Sequence, residues 1–173
     1  MSKKIANTLN GIESAPGAET IIGGKRFLYF AGTSYFGLHG HPDLIRAGVE
    51  AFRKYGTHSA TSRAGFGNNP VLLEVEERLK EFFGEPDAAY FSSGYLSSLI
   101  LAQSLAENYD AVFVDEEAHF CITDSVHSLG KPIWRFRHRD PEDLQRKLKK
   151  KLKARQIPFL MTDGIFPTFG HIA

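Results

Sequence analysis

The chain has 173 residues, a net charge of +1, 42% hydrophobic and 24% charged side chains, and a single cysteine, Cys121. That length suits one domain with a real core, or part of a larger one, and the near-neutral charge excludes a global pull toward nucleic acid or membrane. One cysteine excludes an internal disulfide and fits a reducing compartment, so a cytoplasmic protein is the default expectation.

Met1 to Asn7 carry charge with no long apolar stretch behind them, so this start does not read as a signal peptide. No window has the apolar length of a membrane span. Residues 1–24 are weakly patterned and end in Gly23-Gly24, a turn signal. Phe27 to Ala31 predicts a strand. His41-Pro42-Asp43 then opens a helix that carries Leu44, Ile45, Val49 and Phe52 and can end at Gly56. Residues 56–69 form a long loop of small residues around Arg63, and loops of that length are often functional. Asn69-Pro70 starts a second helix through Leu72, Leu73, Leu79 and Phe82-Phe83, stopped by Gly84.

From there strands and helices alternate. The predicted strands are 88–91, 111–114, 132–137 and 159–162, and the predicted helices are 95–107, near 118–128 and 141–154. Short continuous apolar strands separated by helices imply a mainly parallel sheet, buried on both faces. The expected fold is α/β with three layers, α-β-α, preceded by a short N-terminal segment. The expected division is 1–34 and 35–173. The chain stops directly after a strand and turn, which reads as an unusual ending or a fragment.

Ser93-Gly94-Tyr95 sits where predicted strand 88–91 gives way to a helix. Such a turn points backbone N–H groups outward at a positive helix-dipole end, a ready anion cradle, and glycine permits close approach. An ordinary strand–helix turn also favours Ser and Gly, so the alternative stands beside it. His119 follows the next strand on the same carboxyl rim, where ligands of parallel sheets bind. It reads either as a ring that stacks on a planar ligand or as a capping or surface histidine. Asp163-Gly164 follows the last strand on that rim, as cofactor partner or turn cap. Asp115 and His119, four apart, would share a helix face and invite a metal reading with Glu116, Cys121 and His127, but no further ligand pair has the usual spacing. Arg63 is either solvated or a carboxylate or phosphate clamp. Arg146 to Arg155 reads as the solvated face of an amphipathic helix, with Leu144, Leu148 and Leu152 on its apolar side.

Taken in order, several segments resemble the α-oxoamine synthases. Ser34-Tyr-Phe-Gly-Leu38 is similar to that family's Asn-Tyr-Leu-Gly-Leu, followed by His41-Pro42 at the family's distance. The Gly56–Gly67 loop resembles its glycine- and serine-rich loop, and Leu73 to Leu79 its Leu-Glu-x-x-Leu helix. Phe91-Ser-Ser-Gly-Tyr95 resembles Phe-x-Ser-Gly-Phe, and Asp115-x-x-x-His119 the Asp-x-x-x-His-Ala-Ser segment. Phe136-Arg-His-Arg-Asp140 resembles Phe/Tyr-x-His-Asn-Asp, and Thr162-Asp-Gly-Ile-Phe166 resembles Thr-Glu-Gly-Val-Phe.

The resemblance implies the major domain of a fold-type-I enzyme dependent on pyridoxal 5′-phosphate (PLP), in its first half only. It implies a homodimer that condenses an amino acid with an acyl-CoA, with loss of carbon dioxide. By position, the turn of Ser93, Gly94 and Tyr95 would hold the PLP phosphate, His119 would stack on the pyridine ring, and Asp163 would lie at another polar edge of the ring. The family's Schiff-base Lys and pyridine-nitrogen Asp have no counterpart here, which implies that this chain alone does not catalyse. A non-catalytic partner subunit or truncated homologue, and a phosphate-ligand module without PLP chemistry, are the alternatives. The chain departs from the family at Ser34 (Asn), Ala118 (Asn or Ser), Phe120-Cys121 (Ala-Ser), Pro167 (Ser) and Phe169-Gly170-His171 (Asp-Gly-Asp).

Overall fold

The computed structural model describes residues 11–15, 17–168 and 170–173. The start Met1–Asn7 and the departure at Phe169 lie outside the described residues. The chain divides into two compact units, Met1–Tyr90 and Phe91–Ala173.

In the first unit, strands β1 (Glu19–Ile22) and β2 (Lys25–Leu28) pair antiparallel, Ile22 opposite Lys25. Gly23 and Gly24 make the two-residue turn with φ +58° and +69°. Two left-handed residues in succession give the twist that a tight hairpin needs, and glycine takes it without strain. This hairpin corrects the predicted strand 27–31: the glycine turn fixes pairing to the residues that flank it directly. Helix α1 (Pro42–Tyr55) begins on a His41 cap whose Nδ1 accepts from Asp43 N, and ends at Gly56. Helix α2 (Pro70–Phe83) begins on Asn69, whose side chain accepts from Leu72 N, and ends at Gly84 in the left-handed region. Both spans match the predicted starts and stops, because proline, cap and glycine act locally.

The second unit is a three-stranded parallel sheet in the order β4 (Ile133–Phe136), β3 (Ala111–Asp115), β5 (Pro158–Met161). Helices α3 (Ser97–Ser104), α4 (Phe120–Ser125) and α5 (Pro141–Lys151) cover it. Val112 and Val114 pack with Ala102, Ile122, Val126 and Met161 on the α3/α4 face. Ala111 and Phe113 pack with Phe136, Leu144, Leu148 and Leu152 on the α5 face. Alternate residues of one strand thus feed two cores, which is the expected three-layer α-β-α architecture. The connections explain the layering: from β3 the chain crosses to one neighbour through α4, then back over β3 through α5. Right-handed crossovers in opposite directions place their helices on opposite faces.

Residues 88–91 form no strand, contrary to the sequence expectation. The peptide of Tyr90 is occupied by side chains instead. Its N–H donates to Glu76 Oε1 at 2.8 Å, and its carbonyl accepts from Arg63 Nη1 at 2.8 Å. Among the described residues no helix is long and apolar enough to cross a membrane.

Candidate functional site

Two constellations organise this chain, one in each unit. In the first, Arg63 reaches Glu76 with both Nη1 and Nη2, at 2.7 and 2.9 Å, and Asn68 Oδ1 with Nε at 2.6 Å. The guanidinium and the Tyr90 N–H hold the Glu76 carboxyl down at about 2, against burial, which opposes its ionisation. Arg63, though partly exposed, is therefore paired with Glu76, Asn68 and the Tyr90 carbonyl and closes its own loop. Gly67 belongs to the same closure, since a Cβ there would sit 2.5 Å from the carbonyl oxygens of both Thr61 and Ser62.

The second constellation lies at the carboxyl ends of β3 and β5. Asp115, the last residue of β3, is 1% exposed. Its Oδ1 accepts from Glu117 N at 2.9 Å and contacts His138 Nδ1 at 3.0 Å, while Oδ2 accepts from Arg139 N at 3.0 Å. His138 stands edge-on to buried Phe166 and contacts His171 Nδ1 through Nε2 at 3.3 Å. The carboxylate thereby ties the strand end to the turn after β4. Asp140 caps α5 by accepting from Asp143 N at 2.7 Å. On α5, Lys147 donates to the Arg135 carbonyl at 2.6 Å and holds buried Asp143 below the usual carboxylate range. Lys151 lies 4.1 Å over the Trp134 ring. Part of this basic helix is thus bound to the sheet below it, not only solvated.

Asp115 ends a strand and His119 begins a helix, so they share no helix face as the metal reading requires. Among the described residues no group of three or more His, Cys, Asp and Glu is placed to hold a metal.

His119 caps α4: its Nδ1 accepts from Cys121 N at 3.2 Å, and its own N–H donates to Asp163 Oδ2 at 2.7 Å. One carboxylate after β5 thus fixes the start of the helix after β3. The Gly94 turn joins them from the other side. A short 3-10 turn, Gly94–Leu96, leads into α3. Tyr95 donates its hydroxyl to Asp124 of α4, which keeps the phenol protonated above its usual range, and Ser98 Oγ lies 3.6 Å from Cys121 Sγ. Neither Gly94 N–H nor Tyr95 N–H has an acceptor among the described residues. A Cβ built on Gly94 would meet nothing within 4 Å. Beside His119 opens a cleft of about 430 Å³, lined also by Glu116, Phe120, Thr123, Arg135 and Pro167.

The structure therefore gathers Gly94, Tyr95, His119 and Asp163 around α4, and Ser93 supplies the carbonyl that accepts from Leu96 N at 3.1 Å. Asp124 escapes sequence reasoning and His138 enters it only inside the Phe136–Asp140 motif, because their partners Tyr95 and Asp115 lie 29 and 23 residues away. Apart from the metal reading, sequence reasoning gives Cys121 no role beside His119; its spacing of two from that histidine is the available signal.

A parallel sheet clothed in helices, with a glycine turn before α3 and a histidine beyond the carboxyl end of β3, defines an α/β protein of the open-sheet kind whose ligands sit beyond the strand ends. The model of the family "Aminotransferase class I and II" matches residues 30–172, and the chain belongs to that family. It is 32% identical over 165 residues to an 8-amino-7-oxononanoate synthase from Thermoanaerobacter pseudethanolicus, covering 95% of this chain and 42% of that one. A serine palmitoyltransferase from Sphingomonas wittichii superposes with a TM-score of 0.84 at 30% identity, over 95% of this chain and 41% of that one. A serine palmitoyltransferase from S. paucimobilis with bound PLP-myriocin aldimine gives 0.83 at 32%, over the same shares of 95% and 41%. The resemblance to the N-terminal part of α-oxoamine synthases and the expected PLP-dependent transferase fold are thus both supported, and the chain spans about two fifths of these relatives' length.

Proposed function

We propose that this chain provides the phosphate-anchoring and ring-stacking part of a PLP site in an α-oxoamine synthase. The observation that carries the reading is Gly94. Its φ is not left-handed and no atom crowds the place of its Cβ, so neither backbone strain nor internal packing calls for glycine. An external group that comes close to the backbone does call for it, and two adjacent amides without internal acceptors face that role. The residues present fit the group on its phosphate side.

In this reading Gly94 N–H and Tyr95 N–H donate to the phosphate, and Ser93 shapes the turn. The His119 ring packs against the pyridine, and Asp163 keeps that ring in place by holding the His119 N–H. PLP, when bound, supplies the electron sink for carbanion chemistry at the α-carbon of an amino acid. Among the described residues no lysine lines the cleft beside His119. The chain spans about two fifths of its relatives' length, so the reading assigns phosphate anchoring and ring stacking to this chain and turnover to the whole protein. That protein is proposed to be a cytoplasmic homodimer that condenses an amino acid with an acyl-CoA, with 35–173 as the first half of its major domain after an N-terminal segment 1–34. Exposed Phe36, Phe52 and Phe66 are consistent with such a partner, because large apolar side chains are seldom left bare in numbers.

Titration with PLP, followed by visible absorbance, tests the proposal. The wild-type chain is expected to bind PLP without covalent attachment. Gly94→Val places a side chain in the open approach and should weaken binding at least about tenfold, the loss of one or two charge-assisted bonds, at unchanged melting temperature. Equal PLP binding by wild type and variant refutes the assignment.

A further inference from the structure

We propose that Cys121 is the positioning residue of His119: its thiol proton, together with its amide, is directed at Nδ1 and sets the tautomer and plane of the imidazole. Three contacts carry this. Cys121 N lies 3.2 Å and Cys121 Sγ 3.0 Å from His119 Nδ1, and Ser98 Oγ lies 3.6 Å from the same sulfur. An amide N–H only donates, so Nδ1 is the acceptor and the proton of the neutral ring sits on Nε2. With Nδ1 bare of hydrogen, the thiol is the donor across the 3.0 Å contact, and the Ser98 hydroxyl donates in turn to sulfur. A directed chain, Ser98 to Cys121 to His119, runs from α3 through α4 into the ring. Nε2 has no partner among the described residues, and His119 lines the cleft. The ring is therefore gripped by one nitrogen on the helix side, which leaves its other nitrogen and its edges for the cleft. Asp163 fixes the main chain of the same residue at 2.7 Å, so backbone and side chain are held independently.

The inference deepens the PLP reading and rests on it for its consequence. A ring that stacks on a flat cofactor works best when its plane is set before the cofactor arrives, since the ordering cost is then already met.

The test reads the ring directly. In 15N-labelled full chain without PLP, the His119 imidazole is assigned by its absence in His119→Gln, and its tautomer ratio is measured above its titration range. Wild type should show the Nε2–H form in excess. Cys121→Ala should lower that excess roughly two- to tenfold, the worth of one hydrogen bond, and Cys121→Ser should restore it. Capping the thiol of wild type with methyl methanethiosulfonate should reproduce the alanine result without any substitution. An Nε2–H excess that ignores both Cys121→Ala and thiol capping overturns the proposal, as does an Nδ1–H ring in wild type. PLP affinity is measured in parallel, and in Cys121→Ala it should fall in proportion to the lost fraction of the Nε2–H form. If the tautomer responds as stated but wild type binds no PLP, the positioning role stands and the cofactor reading is what has failed.

Discussion

Replacing Asp115 by Asn changes one atom type at the carboxyl end of β3 and should unsettle the whole rim. Three donors converge on the carboxylate: Glu117 N and His138 Nδ1 on Oδ1, Arg139 N on Oδ2, all between 2.9 and 3.0 Å. The side chain is 2% exposed, so water does not replace a lost acceptor. An asparagine oxygen can keep the first pair, but its NH2 then faces the Arg139 N–H. One bond is lost, the other two lose their charged acceptor, and two buried donors, the new NH2 and the Arg139 N–H, face each other unpaired, a cost of about 2–3 kcal/mol. Asp115→Ala abandons all three donors and should cost roughly 4 kcal/mol. Urea unfolding measures both, with the slope m unchanged if only the folded state is affected. A cost below about 0.5 kcal/mol for Asp115→Asn would refute the reasoning, because that is the level of a substitution at an inconsequential surface site. Asp115→Glu should not rescue, since the added methylene moves the carboxylate off three fixed donors.

Arg139 sits at φ +52°, where a long side chain is strained and the family pattern carries asparagine, so Arg139→Asn should stabilise by about 1 kcal/mol, read as a higher urea midpoint. Glu76 makes a prediction about acid. Its carboxyl falls to about 2 in the folded chain against an ordinary value of 4.5, so its stabilising effect is complete above 4.5 and is lost as pH drops from there toward 2. Melting temperatures over that range should fall more steeply for wild type than for Glu76→Gln, whose baseline stability is already lower; parallel curves would contradict the Arg63–Glu76 account. Phe113 is fully buried between β3 and α5, and Phe113→Ala should cost about 3–5 kcal/mol in thermal unfolding.

The parts of this fold that were legible in the sequence are those whose causes are local. Pro42 and Gly56, and Pro70 and Gly84, punctuate α1 and α2 from inside the residues themselves. The runs at 111–114, 132–137 and 159–162 announced a buried parallel sheet because both faces need apolar side chains. The run at 88–91 looked the same and is not a strand, because Glu76 and Arg63, 14 and 27 residues upstream of Tyr90, take its peptide groups. Nothing short-range encodes that. Arg63 stayed ambiguous for the same reason: its partners are set by how the loop meets α2. Strand β1 is a four-residue piece of a hairpin with mixed burial, and only Gly23-Gly24 hinted at it. At the site, the Gly94 turn and the rim positions of His119 and Asp163 could be read from strand ends. The bond between His119 and Asp163 spans 44 residues and could not.

That bond also shows how the rim divides its polar groups. Both oxygens of Asp115, Oδ2 of Asp163 and Nδ1 of His119 are spent inside the protein, on backbone donors and neighbouring side chains. These atoms build the rim. The amides of Gly94 and Tyr95 are the contrast, two adjacent donors with no acceptor among the described residues. Water can satisfy exposed amides, so their freedom costs the chain little stability. An anion gains from them because they are already fixed by the turn, by Ser97 Oγ donating to the Gly94 carbonyl at 2.6 Å and by Tyr95 bonded to Asp124. Donors held in place before binding need no reorganisation when the ligand comes. The motif around Asp115, His119, His138 and Asp140 is then largely scaffold. In the proposed PLP site its work is to keep one histidine ring and one pair of amides where the cofactor would need them.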